Sequence, residues 1–224
     1  MPIYILDDDI AFPHPSLADK DGLLAIGGDL SPERLLAAYA NGIFPWFDED
    51  SAILWWSTDP RMILLPANFK RSKSLKQTIR NGGFEVRFDE AFERVITSCA
   101  ITGRKGEFGT WITEEMIDAY VSLHRMGYAH SVETYRNGIL VGGLYGISLG
   151  KAFFGESMFH LERDASKVAL SVLVDRLIEW DFHLIDAQQR TEHLKSLGAH
   201  AIPRSEFLEM LEKALSFPTV KGKW

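Results

Sequence analysis

The chain has 224 residues, 46% of them apolar and 25% charged, with a net charge of −7, which is ordinary for a soluble globular protein of one domain or two small ones. The negative balance excludes wholesale nucleic-acid binding, so any such contact must come from a local patch. A single cysteine, Cys99, excludes an internal disulfide, and the longest apolar candidate for a membrane span, Val168 to Ile178, is interrupted by Ser171, Asp175 and Arg176.

The N-terminal residues, Met1 to Asp9, are acidic where a signal peptide would be basic, so a cytoplasmic protein of bacterial type is expected. Residues 13–30 are turn-rich, punctuated by Pro13, Pro15, Gly22, Gly27 and Gly28. Ser31-Pro32 opens a short helix, with Ser as N-cap and Pro at the first helical position, that runs through Leu35, Leu36 and Tyr39 to Asn41-Gly42. The segment Asn41 to Arg61 then holds Trp46, Trp55 and Trp56, three of the six tryptophans, in mixed turn and strand character. Such a cluster suits either a core corner beneath a Pro-rich turn or a platform on which a flat ligand stacks.

Lys70, Arg71, Lys73, Lys76 and Arg80 form a basic run without an acid among them, a candidate phosphate-contacting patch that could equally be a solvated helix face. A helix follows this run and ends at Asn81-Gly82-Gly83. Phe84 to Phe88 alternates as a strand, and Asp89 is expected to cap a helix carrying Phe92, Val95, Ile96 and Cys99 on its apolar face. After a glycine- and charge-rich loop from Ile101 to Gly109, Thr113 caps a helix with Met116, Tyr120 and Leu123 on one side. His130 to Tyr135, the turn Arg136-Asn-Gly138, and Ile139 to Tyr145 read as a hairpin. Lys151 to Phe154 is the next strand, Asp164 caps a long helix through Trp180, and His183 to Asp186 is a further strand. Short helices follow at Thr191 to Leu197 and Ser205 to Leu215.

The expected fold is therefore α/β (α+β), split near residue 100. A small N-terminal α/β domain covers residues 1–100. A larger domain, 101–224, has antiparallel strands, a long helix and another strand, the order of GNAT-type acyltransferase folds.

Most familiar catalytic motifs are absent. There is no His-Glu-x-x-His, and one cysteine cannot supply a zinc cluster. Gly155-Glu-Ser157-Met-Phe159 lacks the last glycine of a nucleophile elbow. Gly142-Gly143-x-x-Gly146 is no dinucleotide fingerprint; inside a strand it suggests a bulge or close approach by a ligand backbone. The stretch His160 to Lys167, which would bind pyrophosphate in a coenzyme A-dependent enzyme, has no glycine and carries two acids.

Several strings together resemble the leucyl/phenylalanyl-tRNA–protein transferase family: Asp21 to Ser31, Asn41 to Arg61, Gly109-Thr-Trp-Ile-Thr113, Gly155 to Phe159, Asp164-Ala-Ser-Lys167 and Leu184-Ile-Asp-Ala-Gln188. The resemblance implies transfer of Leu or Phe, and Met less well, from aminoacyl-tRNA to the N-terminal α-amine of proteins beginning with Arg or Lys, creating a degradation signal under the N-end rule. It implies no cofactor, ATP or metal, because the donor is already an activated ester. It points to Asp186, Gln188 and Glu156 as catalytic, and to Leu144, Phe153, Met158, Leu173, Leu177 and Ile185 as the aminoacyl side-chain pocket. Trp46, Trp111 and Tyr120 would receive the terminal adenosine of the tRNA, and the basic run its backbone. The partners implied are aminoacyl-tRNA and acceptor proteins, with no membrane, and a monomer is the working expectation. A cell-wall aminoacyl-tRNA transferase and a catalytically silent tRNA- or peptide-binding module remain competing readings.

Overall fold

The computed structural model describes residues 3–102 and 111–224. Most of the loop expected from Ile101 to Gly109, and Thr110 after it, lie outside the described residues. Four short strands, β1 (Tyr4–Leu6), β2 (Leu23–Gly27), β3 (Phe44–Pro45) and β4 (Leu54–Trp56), form one sheet in the order β1-β2-β4-β3. The helix α1 (Pro32–Ala40) lies between β2 and β3 in the chain; Ser31 caps it by accepting from the backbone N–H of Arg34.

The second sheet has seven strands: β5 (Arg61–Leu64), β6 (Glu85–Phe88), β7 (Ala129–Arg136), β8 (Ile139–Leu149), β9 (Ala152–His160), β10 (Leu184–Gln188) and β11 (His200–Ile202), in the order β11-β5-β10-β9-β8-β7-β6. Only β9 and β10 pair in parallel, with α5 as their crossover. The remaining helices are α2 (Lys73–Asn81), α3 (Phe92–Ile101), α4 (Glu114–Arg125), α5 (Ala165–Glu179), α6 (Glu192–Ser196) and α7 (Arg204–Leu215).

Several expectations are corrected here. β5 and β6 precede residue 100 yet belong to the larger sheet, so the chain passes between sheets after Trp56 and before Arg61. The strands β1, β2, β5 and β11 were not anticipated, and β3 and β4 were expected only as strand character within Asn41 to Arg61. None of them alternates as Phe84 to Phe88 does, and β5 is buried along its whole length. Asp89 does not cap α3, whose N-cap is Ala91. Its carboxylate instead accepts from the Ser131 backbone at 2.8 Å, His130 Nδ1 at 2.9 Å and the Trp224 backbone at 2.9 Å. Helix α2 begins inside the basic run because Ser72 caps it at Leu75. β9 continues to His160, which places Glu156 in mid-strand and not beyond a strand end.

Strand alternation divides the larger sheet into two apolar faces. Phe154 and Leu184 face α1, α3 and α4, with Ile63, Tyr39, Val95 and Tyr120 in the same cluster. Phe153 and Ile185 face α5, with Leu144, Leu173 and Leu177. At the glycines of β8, where a bulge or the close approach of a ligand backbone was expected, the close neighbours are elements of the chain itself. A Cβ on Gly142 would stand 2.6 Å from that of Ala165, and one on Gly146 would stand 2.2 Å from the Phe154 carbonyl. These glycines let α5 and β9 seat against β8. Gly146→Ala is expected to cost about 1–3 kcal/mol, the usual range for a forced overpacking, measured as a shift in the urea midpoint at unchanged m-value.

Candidate active site

Two irregularities in the sheet build the site. Across β8 and β9, Tyr145 pairs with Ser157 but Gly146 pairs with Gly155, so Glu156 is an extra residue without a partner. Across β5 and β10, Ile63 pairs with Asp186 but Met62 pairs with Gln188, so Ala187 is extra. Bulges re-aim side chains, and both of these turn polar groups toward one point. Gln188 also has φ of +56°, a left-handed conformation uncommon for any residue but glycine. It is held by its own backbone N–H, which donates to Asp186 Oδ1 at 3.0 Å, and by its carbonyl, which accepts from Thr58 Oγ1 at 3.2 Å.

Asp186 is fully buried and its carboxylate is committed. Arg61 on β5 donates from Nε to Oδ1 at 2.8 Å and from Nη2 to Oδ2 at 2.6 Å. The guanidinium, itself fully buried, lies 4.7 Å from the centroids of Phe44 and of Phe207. The Gln188 side-chain amide is turned to Glu156, its Nε2 donating to Glu156 Oε1 at 2.7 Å. Glu156 Oε2 accepts from the hydroxyl of Tyr120 at 3.1 Å, and that hydroxyl is in turn hydrogen-bonded to Tyr39 on α1.

Burial pushes the Glu156 carboxyl up to about 7, against the lowering effect of Tyr39, Gln188 and Tyr120, and the Asp186 charge adds to the rise. Some surface of Glu156 remains accessible, so a ligand can reach it. The same burial holds the phenols of Tyr39, Tyr120 and Tyr145 well above their ordinary range, as neutral donors. Cys99 is a buried core residue whose thiol burial pushes up to about 12.

The residues expected to line the side-chain pocket lie together on the α5 face. Leu144, Phe153, Leu173, Leu177 and Ile185 are buried in one cluster, and Met158 packs against it. The tryptophan segment divides. Trp55 is core, its Nε1 donating to the Gly27 carbonyl at 2.9 Å, whereas Trp46 is 39% exposed and meets Trp56 edge-on at 5.6 Å. Trp111 is half-buried. Tyr120 offers no accessible stacking face, because it lies wholly inside, under Glu156. In the basic run, Lys70, Lys73, Lys76 and Arg80 are exposed. Arg71 is taken up by α5 instead, where it pairs with Asp175 at 2.6 Å and donates to Ser171. Sequence reasoning missed Arg61 and Tyr39. An arginine opening the apolar run Arg61-Met-Ile-Leu64 was the available signal for the first, and nothing distinguished the second from an apolar-face residue.

A mixed α/β core with a parallel β9–α5–β10 unit, and a partly accessible carboxylate–amide cluster where those strands meet, are the marks of an α/β enzyme. The family models for the leucyl/phenylalanyl-tRNA protein transferase and for its N-terminal domain match residues 63–212 and 28–59, and the chain belongs to that family. Proteins named leucyl/phenylalanyl-tRNA–protein transferase are 58% identical in Anaeromyxobacter sp. (strain Fw109-5), over 100% of this chain and 95% of the relative. One in Maridesulfovibrio salexigens is 57% identical over 100% and 94%, and one in Myxococcus xanthus 56% over 100% and 97%. Among solved structures, a ribosomal-protein-alanine N-acetyltransferase from Brucella melitensis is 16% identical at a TM-score of 0.36, over 51% of this chain and 87% of the other. L-PGS from Bacillus licheniformis is 14% identical at 0.39, over 89% and 66%. At such scores the overlaps carry no weight for the site.

Arg61→Met, which leaves the Asp186 charge buried and unpaired, is expected to destabilise the fold by about 3–5 kcal/mol. Arg61→Met combined with Asp186→Leu is expected to recover much of that loss in a double-mutant cycle of urea unfolding. Glu156 acts with the opposite sign to a paired carboxylate. Its carboxyl is raised from 4.5 to about 7, so its favourable contribution is full below about 4.5 and is lost as pH rises through about 7. Glu156→Gln, which cannot titrate, is expected to gain stability over the parent between about pH 5 and 8, on the order of 2 kcal/mol, in unfolding curves taken at both ends.

Proposed function

We propose that this enzyme moves Leu or Phe, and Met less well, from aminoacyl-tRNA to the α-amine of proteins that begin with Arg or Lys, marking them for degradation. Family membership supports aminoacyl transfer to protein. The observation that carries the mechanism is the meeting of Glu156 and Gln188 at two bulges above the Asp186–Arg61 pair. The incoming α-amine has an ordinary pKa of about 7.7–8.0, so an appreciable fraction is neutral near pH 7.5 and no strong base is needed. Positioning two substrates then supplies much of the rate.

With Gln188 Nε2 turned to Glu156, the amide's carbonyl oxygen is the acceptor that orients the amine. The nitrogen attacks the ester carbonyl and forms the new amide bond, and the ester C–O bond to the terminal ribose breaks. The proton shed by the amine passes through Glu156 to the leaving ribose oxygen, so none is consumed. Asp186 touches neither substrate in this scheme; it shapes the Gln188 backbone. The apolar cluster on the α5 face receives the side chain of the donor, where burial is worth about 1.5–3 kcal/mol. Trp46 and Trp111 receive the terminal adenosine, a stack worth about 1–3 kcal/mol. Lys70, Lys73, Lys76 and Arg80 follow the acceptor-stem phosphates, which hold no sequence information.

The test is transfer of labelled leucine from Leu-tRNA to a peptide beginning with Arg, with an Ala-initial peptide and Ile-tRNA as controls. Label is expected on the Arg peptide alone. Gln188→Ala is expected to lower transfer by about 10²-fold or more. Equal labelling of the Ala peptide, or an unimpaired Gln188→Ala variant, overturns the proposal.

A further inference from the structure

The hydrogen bonds around Glu156 do not stop at the reacting groups. They run inward from Gln188 Nε2 to Glu156 Oε1, from Tyr120 Oη to Glu156 Oε2, and from Tyr39 Oη to Tyr120 Oη, ending on α1. Both tyrosines are fully buried, so neither hydroxyl is there to meet water. A buried phenol is retained where its hydroxyl has a partner, and here each hydroxyl has one that leads to the same carboxylate. Tyr39 is also fixed in place by its ring, edge-on to Phe154 at 5.1 Å, and Tyr120 by Tyr145 at 5.7 Å.

We propose that Tyr39 and Tyr120 are positioning residues for the transfer reaction. Their hydroxyls form a donor chain from α1 through α4 that holds the Glu156 carboxylate against Gln188 and sets the state in which it meets the incoming amine. This rests on the role given to Glu156 above. The direction of the chain follows from chemistry: an ionised Glu156 can only accept, so Tyr120 donates to it and Tyr39 donates to Tyr120. The groups facing Glu156 are Asp186 on β10, backed by Arg61 on β5, Tyr39 on α1, Tyr120 on α4, and Tyr145 on β8 with Cys99 on α3 behind it. All but the Asp186–Arg61 pair are neutral donors or thiol, so the two tyrosine hydroxyls and Gln188 are the stabilising contacts that the carboxylate has. Tyr145 is the internal control, since its hydroxyl is buried without a hydrogen-bond partner among the described residues.

The experiment uses the full chain with carboxyl-¹³C glutamate, in the parent and in Tyr39→Phe, Tyr120→Phe and Tyr145→Phe, with the Glu156 signal assigned by Glu156→Gln. Each protein is titrated by NMR and assayed for transfer across the same pH range. Removing a donor to the charged form raises the titration midpoint. The expected rise is about one unit in Tyr120→Phe and about half a unit in Tyr39→Phe, with none in Tyr145→Phe. The acid limb of the transfer profile is expected to move by the same amount in each. An unmoved midpoint in both Tyr39→Phe and Tyr120→Phe overturns the proposal, as does a moved midpoint with an unmoved transfer profile. Absence of transfer by the parent overturns the transferase reading instead, and the NMR midpoints still decide whether the chain acts on Glu156.

Discussion

The buried pair between Arg61 and Asp186 is the constraint on which the rest of the site depends. Taking two charges out of water costs several kcal/mol per ion unless geometry and further hydrogen bonds offset it. Here the guanidinium fork meets both carboxylate oxygens, and the Gln188 N–H satisfies one of them again. Phe44 from the smaller sheet and Phe207 from α7 close over the guanidinium. One interaction thus ties β3, β5, β10 and α7 together. It also fixes the step of β10 at which the bulge occurs, and with it the left-handed backbone of Gln188.

The two buried carboxylates of the site have different company. Asp186 faces a full positive charge and is structurally committed; Glu156 faces an amide and phenolic hydroxyls, and burial leaves its carboxyl near neutrality. The two environments push the carboxyl groups apart, one held by a paired charge and the other raised by burial. The bulges make the division possible. Without the extra residues at Glu156 and Ala187, strict alternation would give these strands no means of bringing a mid-strand glutamate against a strand-end glutamine.

Long elements were legible because their periodicity outlasts noise. The helices α1, α4 and α5, the hairpin β7–β8 and the order of strands, helix and strand all followed from caps, turns and repeats. The glycines of β8 signalled the bulge, while their close neighbours are α5 and β9 of the chain itself. The strands β1, β2, β5 and β11 did not show because their residues do not alternate as those of the equally short β6 do. Asp89 misled because a capping residue type before an apolar run is a local signal, and the distant His130, Ser131 and Trp224 engage its carboxylate with three hydrogen bonds instead. In the site, the resemblance named Glu156, Asp186 and Gln188, yet their partners came from far away in the chain. Arg61 is separated from Asp186 by 125 positions and Tyr39 from Tyr120 by 81. Contacts at that separation leave no trace in a single sequence.

The faces of β9 and β10 have a consequence for how such an enzyme can change. Phe153 and Ile185 look toward α5, whereas Phe154, Asp186 and the groups around Glu156 look toward α1 and α4. The apolar α5 face and the hydrogen-bonded cluster therefore share a backbone but no side chain. A substitution on one face reaches the other only through the strands that carry both.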